Sequence, residues 1–213
     1  MPSHWQQWFH CTTTTFGVWL PGDPRGWRTI KHRQHIEGDY HNPPPENRDR
    51  ALHQHASAQR NRPAIIVPAE MRPLICDTFR DALHHHDVLV QAICASATHV
   101  HVLARFPATG VAGLSPEHHR ADHLNPVPRY TLGKAMSWTT HVFKKHLKSQ
   151  SPGSPDPGNN VVIYPSGLEG LSAGGLWAKH PSIKPIADES HFHNARRYIR
   201  AHDQQAAAVW IRE

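Results

Sequence analysis

The chain has 213 residues, enough for one hydrophobic core in a single domain that carries insertions. Only 38% of residues are hydrophobic and 19 are proline, which predicts long irregular segments beside a modest core. A net charge of +6 favours a polyanionic partner, and with no 18-residue apolar run the sequence excludes a membrane-spanning helix.

Residues 8–20 read as a first strand. Phe9, Cys11 and Thr13 alternate with His10, Thr12 and Thr14, and threonine favours extended backbone. Pro21-Gly22-Asp23-Pro24 ends it. Residues 27–62 are polar and rich in His and Arg, with a short helix expected over 46–59. Residues 70–86 carry Leu74, Ile75, Phe79, Ala82 and Leu83 at helical spacing, and Pro73 is tolerated in a first turn. Two strands follow, 88–95 and 99–106. Ser96-Ala97-Thr98 is a tight connection between them, so the pair should be an antiparallel hairpin.

In the second strand of that hairpin, His99 and His101 are two residues apart and project from one face. Twenty-one histidines make any single imidazole unremarkable, including those of His84-His85-His86 and His118-His119. The pair is singled out by its spacing on a defined element, which suits one divalent metal ion. Arg105 shares the histidine face.

After a loop-rich stretch, residues 130–148 form a two-faced helix. Leu132, Met136, Thr139, Phe143 and Leu147 make its apolar side, while Lys134, His141, Lys145 and Lys148 make the other. Those lysines would either meet phosphates or form a solvated face. Residues 149–160 are rich in Pro, Gly and Ser. A short strand is expected at 161–164, and Gly174-Gly175-Leu176-Trp177 leads towards another. Asp188 is a good N-cap for a last helix to about Gln205. On that helix Tyr198 and His202 lie four apart and share a face. Trp19 and Trp27 would stack on bases or pack in the core.

This order of strands and helices predicts an α+β sandwich, an antiparallel sheet with helices packed on it. The chain is read as one domain over 1–213 with insertions at 21–66, 107–128 and 149–160. Cys11, Cys76 and Cys94 show no metal-ligand spacing; Cys76 and Cys94 fall in apolar patterns and are expected as buried thiols. With no apolar run after Met1, the expected setting is a reducing one, the cytoplasm.

A metal pair on a strand and a tyrosine on a helix are what a phosphotyrosine-forming nuclease needs. In sequence the chain resembles the REP-associated tyrosine transposases and the wider group of single-strand, single-tyrosine HUH transposases. The strand 88–93 leading into Thr98-His99-Val100-His101-Val102-Leu103 is similar to that family's hydrophobic strand ending in Asn-His-Val-His-Leu. The basic helix 132–148, the segment Gly175-Leu176-Trp177-Ala178-Lys179 and the run Ala195-Arg196-Arg197-Tyr198-Ile199 follow in the family's order. The opening 14–27 resembles a subgroup with a long insertion after the first strand.

The resemblance implies a ferredoxin-like core, a divalent metal, and His99 and His101 as its ligands. It implies Tyr198 as nucleophile on single-stranded DNA beside a hairpin-forming repeat. Two departures stand out: Ala97-Thr98 replaces Pro-Asn before the first histidine, and His202 stands where the family has an amide ligand. Three imidazoles, His99, His101 and His202, would suit Mn²⁺, Co²⁺ or Zn²⁺ better than Mg²⁺. Arg105, Lys134, Lys145 and Lys148 are the candidate DNA contacts, and a homodimer is compatible with the family. The alternatives are a non-catalytic DNA- or RNA-binding protein on the same fold, and a zinc hydrolase using the three histidines.

Overall fold

The computed structural model describes residues 5–23, 49–107, 126–150, 164–179 and 181–213. Its centre is a five-stranded antiparallel sheet in the order β4-β1-β3-β2-β5. The strands are β1 (Trp8–Thr14), β2 (Leu89–Ala95), β3 (His99–Arg105), β4 (Ser182–Pro185) and β5 (Ala208–Ile211). The helices are α1 (Arg50–Ala58), α2 (Arg72–His84), α3 (Pro126–Gln150) and α4 (Glu189–Ala201). This is the α+β sandwich that the sequence predicts. The connectivity β1-α2-β2-β3-α3-β4, with β1 beside β3 in the middle, is the ferredoxin-like arrangement.

Side-chain alternation along β3 divides the core in two. Val100, Val102 and Ala104 face one way and pack against Ile75, Phe79 and Leu83 of α2 and Leu132, Phe143 and Leu147 of α3. Leu103 faces the other way and packs with Ala92, Cys94 and the α4 residues Ala195 and Ile199. His99 and His101 share the parity of Leu103, so they lie on the α4 side. Burying an isoleucine or leucine at such a place contributes about 1.5–3 kcal/mol.

Local chemistry fixes the ends of the elements that matter. Ser96 turns the β2–β3 hairpin: its Oγ accepts from the His99 amide at 3.1 Å, and its own amide donates to the His99 carbonyl at 2.9 Å. The Asp188 carboxylate accepts from the His191 amide at 2.8 Å, capping α4 as expected. Past Ala201 the chain tightens into a 3-10 turn over His202–Gln205. Ala206 then takes a left-handed conformation (φ 57°) that sends the chain into β5.

Several expectations need correction. The last helix stops at Ala201 rather than Gln205. The segment 174–177 yields only a bridge between Trp177 and Thr15, and the strand comes later, at Ser182–Pro185. Tyr164 lies in no strand, and 161–163 fall outside the described residues. The first strand ends at Thr14, with α1 beginning at Arg50 and α3 running longer than expected at both ends. β5 was not expected; it is four residues long and follows a left-handed alanine, so it carries no turn signal of the usual Gly or Asn kind. Much of the expected insertions, residues 24–48, 108–125 and 151–160, lies outside the described residues.

Candidate metal centre

β3 carries His99 and His101 on the α4 face, and α4 crosses that face so that its last turn reaches the same end of the strand. Ala195 and Ile199 anchor the helix in the apolar layer. Tyr198 precedes Ile199 on the helix, and His202, four residues after Tyr198, falls on the C-terminal boundary. One ligating nitrogen from each of His99, His101 and His202 lies within 4.8 Å of the others, and the three form a group that could hold a metal ion. His101 and His202 are buried, and His99 is half-buried.

The second nitrogen of every ring is engaged. His202 Nδ1 donates to the Tyr198 carbonyl at 2.9 Å. A carbonyl only accepts, so the proton of neutral His202 sits on Nδ1 and the lone pair on Nε2. That lone pair faces His99 Nε2 at 3.3 Å, a contact that requires a proton or a cation between the two. His99 Nδ1 lies 3.0 Å from Thr98 Oγ1, and His101 Nδ1 lies 2.9 Å from Thr12 Oγ1. Thr12 is the register partner of His101, which explains that second contact. Partners at Nδ1 that leave Nε2 for a metal are the usual outer layer of histidine sites. Two nitrogens each about 2.0–2.1 Å from one cation sit about 3.3 Å apart in tetrahedral geometry; the His99–His202 pair has that spacing, and His101 offers a nitrogen within 4.8 Å of both.

Burial and charge keep two imidazoles neutral. Burial, then the neighbouring His99, push His101 down to about 2. Burial, then the charge of Lys184, push His10 down to about 4. Neutral rings are what a metal requires. Cys94, opposite His101 in the ladder, is raised to about 12 by burial and stays a thiol.

The tyrosine expected at the site stands beside it. The Tyr198 ring centroid is 4.7 Å from that of His202 and 5.1 Å from that of His101, in edge-to-face contacts. Half of Tyr198 is exposed. His10 completes the group and was missed in the sequence. Its Nε2 lies 3.2 Å from His101 Nδ1, and its ring is 6.0 Å from Tyr198. The alternation of β1 puts His10 on the face of Thr12, but only the pairing with β3 brings it to His101.

The candidate DNA contacts lie elsewhere. Arg105 keeps the histidine face but stands four residues beyond His101, about 13 Å along the strand, and is exposed. Lys134, Lys145 and Lys148 are exposed on α3, whose apolar side packs on the opposite face of the sheet. They share no surface with the histidines. Trp19 is nearly half exposed, and Trp27 lies outside the described residues. All three cysteines are buried free thiols. Among the described residues no helix is long and apolar enough to cross a membrane. Comparison of the chain with protein-family models and with curated proteins gave no match.

Proposed function

We propose that the chain is a metal-dependent single-stranded DNA endonuclease and strand transferase that works through a covalent 5′-phosphotyrosine. The observation that carries this reading is the packing of the Tyr198 ring against His101 and His202, two of three imidazoles able to share one cation. The resemblance in sequence to single-tyrosine transposases supports it independently.

His99, His101 and His202 would hold the divalent ion, which when bound would neutralise charge on a phosphate oxygen and orient the scissile bond. Tyr198 is the nucleophile. Its Oη forms a bond to phosphorus while the bond from phosphorus to the 3′-oxygen breaks. The phenol proton leaves to solvent, and the departing oxygen takes a proton to become a free 3′-hydroxyl. One ester replaces another, so a later 3′-hydroxyl can reverse the step on a new end without external energy. Ile199, buried in the apolar layer, would anchor the helix that carries Tyr198.

A zinc hydrolase is the second reading. A set of three imidazoles favours it, since such a set leaves a fourth position for water. Labelled single-stranded DNA incubated with Mn²⁺ separates the two. A protein–DNA adduct that survives denaturation and is lost in Tyr198→Phe supports the transferase. Cleavage without adduct, unchanged in Tyr198→Phe, supports the hydrolase. Binding with neither leaves a non-catalytic nucleic-acid-binding protein.

A further inference from the structure

We propose that Lys184, on the edge strand β4, forms with His10 a backbone-phosphate subsite, so that a DNA strand crossing the metal centre continues over Tyr198 to the β4 edge. This rests on the nucleic-acid reading above and adds to it the path of the substrate. Three observations carry it.

The first is register. Residues directly opposite in an antiparallel sheet project to the same face. Leu103, His10 and Lys184 form one such row, and His101, Thr12 and Ser182 form the next. Lys184 therefore stands on the α4 face, one strand beyond His10, with its side chain exposed at the sheet edge.

The second is position relative to the tyrosine. His10 lies in edge-to-face contact with Tyr198, 6.0 Å between ring centroids. His191, two turns before Tyr198 on α4, is close enough to act on His10. Tyr198 thus packs against His10 as well as His101 and His202, and Lys184 stands one strand beyond His10 on the same face.

The third is charge. Among the described residues, the groups that act electrostatically on His10 or His101 are Lys184 and other histidines, with no carboxylate among them. Neutral imidazoles bordered by a lysine, with no opposing carboxylate among those partners, suit a phosphodiester. The lysines of α3, by contrast, sit across the sheet and reach no phosphate held at this site.

The test uses the full chain, a fluorescein-labelled 15-nucleotide single strand and Mn²⁺. Binding is followed by anisotropy in the Tyr198→Phe background, and adduct formation in the Tyr198 protein. Losing one phosphate contact lowers the slope of log K against log salt by about 0.7, or about fivefold in affinity at 0.1 M salt. Lys184→Gln should show that loss, and in the adduct assay it should raise KM more than it lowers kcat. Lys184→Arg should restore both. Arg80→Gln, on α2 across the sheet, should change neither.

If Lys184→Gln binds and reacts like the parent chain, the subsite is wrong and the transferase reading stands. If no adduct forms but binding still depends on Lys184, the transferase reading fails and the subsite stands. A parent chain that neither binds the strand nor forms an adduct overturns both.

Discussion

His99 Nε2 and His202 Nε2 meet at 3.3 Å although 103 residues separate them in the chain. One comes from the hairpin strand β3 and the other from the turn that ends α4. The contact is made by two elements that share an apolar layer, Leu103 from the strand and Ile199 from the helix. The candidate metal centre is thus a product of core packing as much as of side-chain spacing.

That packing is testable. Ile199→Ala should destabilise the fold by about 2–5 kcal/mol, the usual range for a large-to-small change in a core. Metal affinity should fall with it, because the helix that carries Tyr198 and His202 loses its anchor. Chemical denaturation and metal titration on the same variant check both.

A preference among metals is predicted from the donor set. Among the described residues the candidate donors are three imidazoles and no carboxylate, a set expected to favour Mn²⁺, Co²⁺ or Zn²⁺ over Mg²⁺. In thermal melts, each of the first three ions should raise Tm at lower concentration than Mg²⁺. At one hundred times its dissociation constant, an ion adds about 2.7 kcal/mol of stability. His101→Ala should abolish the shift.

Thr12 orients His101 through Nδ1 without reaching the metal position. Thr12→Val keeps the shape of the strand residue and removes the hydroxyl. Loss of such an outer partner typically costs about 10- to 100-fold in metal affinity. Isothermal titration of the variant with Mn²⁺ or Zn²⁺ measures the effect, and Thr12→Ser should retain most of the parent affinity.

Stability should fall at high pH through the buried thiols. Burial, with Asp77 adding to it, raises Cys76 from an ordinary 9.0 to about 12. The thiol titrates more readily in the unfolded chain, so the contribution is complete below pH 9 and is lost as pH rises towards 12. At pH 10.5 the unfolded chain gains about 2 kcal/mol from this one group. Denaturation of the parent and Cys76→Ala between pH 8 and pH 10.5 isolates it, since the variant should lose less stability over that interval. At pH 8 the native thiols should resist a disulfide reagent.

The antiparallel β2–β3 hairpin and the two helix faces were legible because alternation on β3 and the 3.6-residue stripes of α2 and α3 are each set by burial on one side. His99, His101 and Tyr198 were legible for the same reason, since local spacing fixes their faces. His10 and Lys184 were not. Each looks like an isolated polar residue in its own strand, and only the pairing of β1 with β3 and β4 brings them to the site. Arg105 shows the converse: parity gave its face correctly, but parity says nothing of distance along the strand. The lysines of α3 were recognised as one exposed face, yet the sequence could not say on which side of the sheet that helix would lie. β5 escaped because four residues that add an edge to an existing sheet need little hydrophobic signal of their own.

The most direct measurement is anomalous diffraction at the manganese edge from crystals of the parent chain grown with Mn²⁺. The expected result is one strong peak within bonding distance of a nitrogen of each of His99, His101 and His202, beside the Tyr198 ring. A peak held by other residues, or none at these three at saturating Mn²⁺, would contradict the proposed centre.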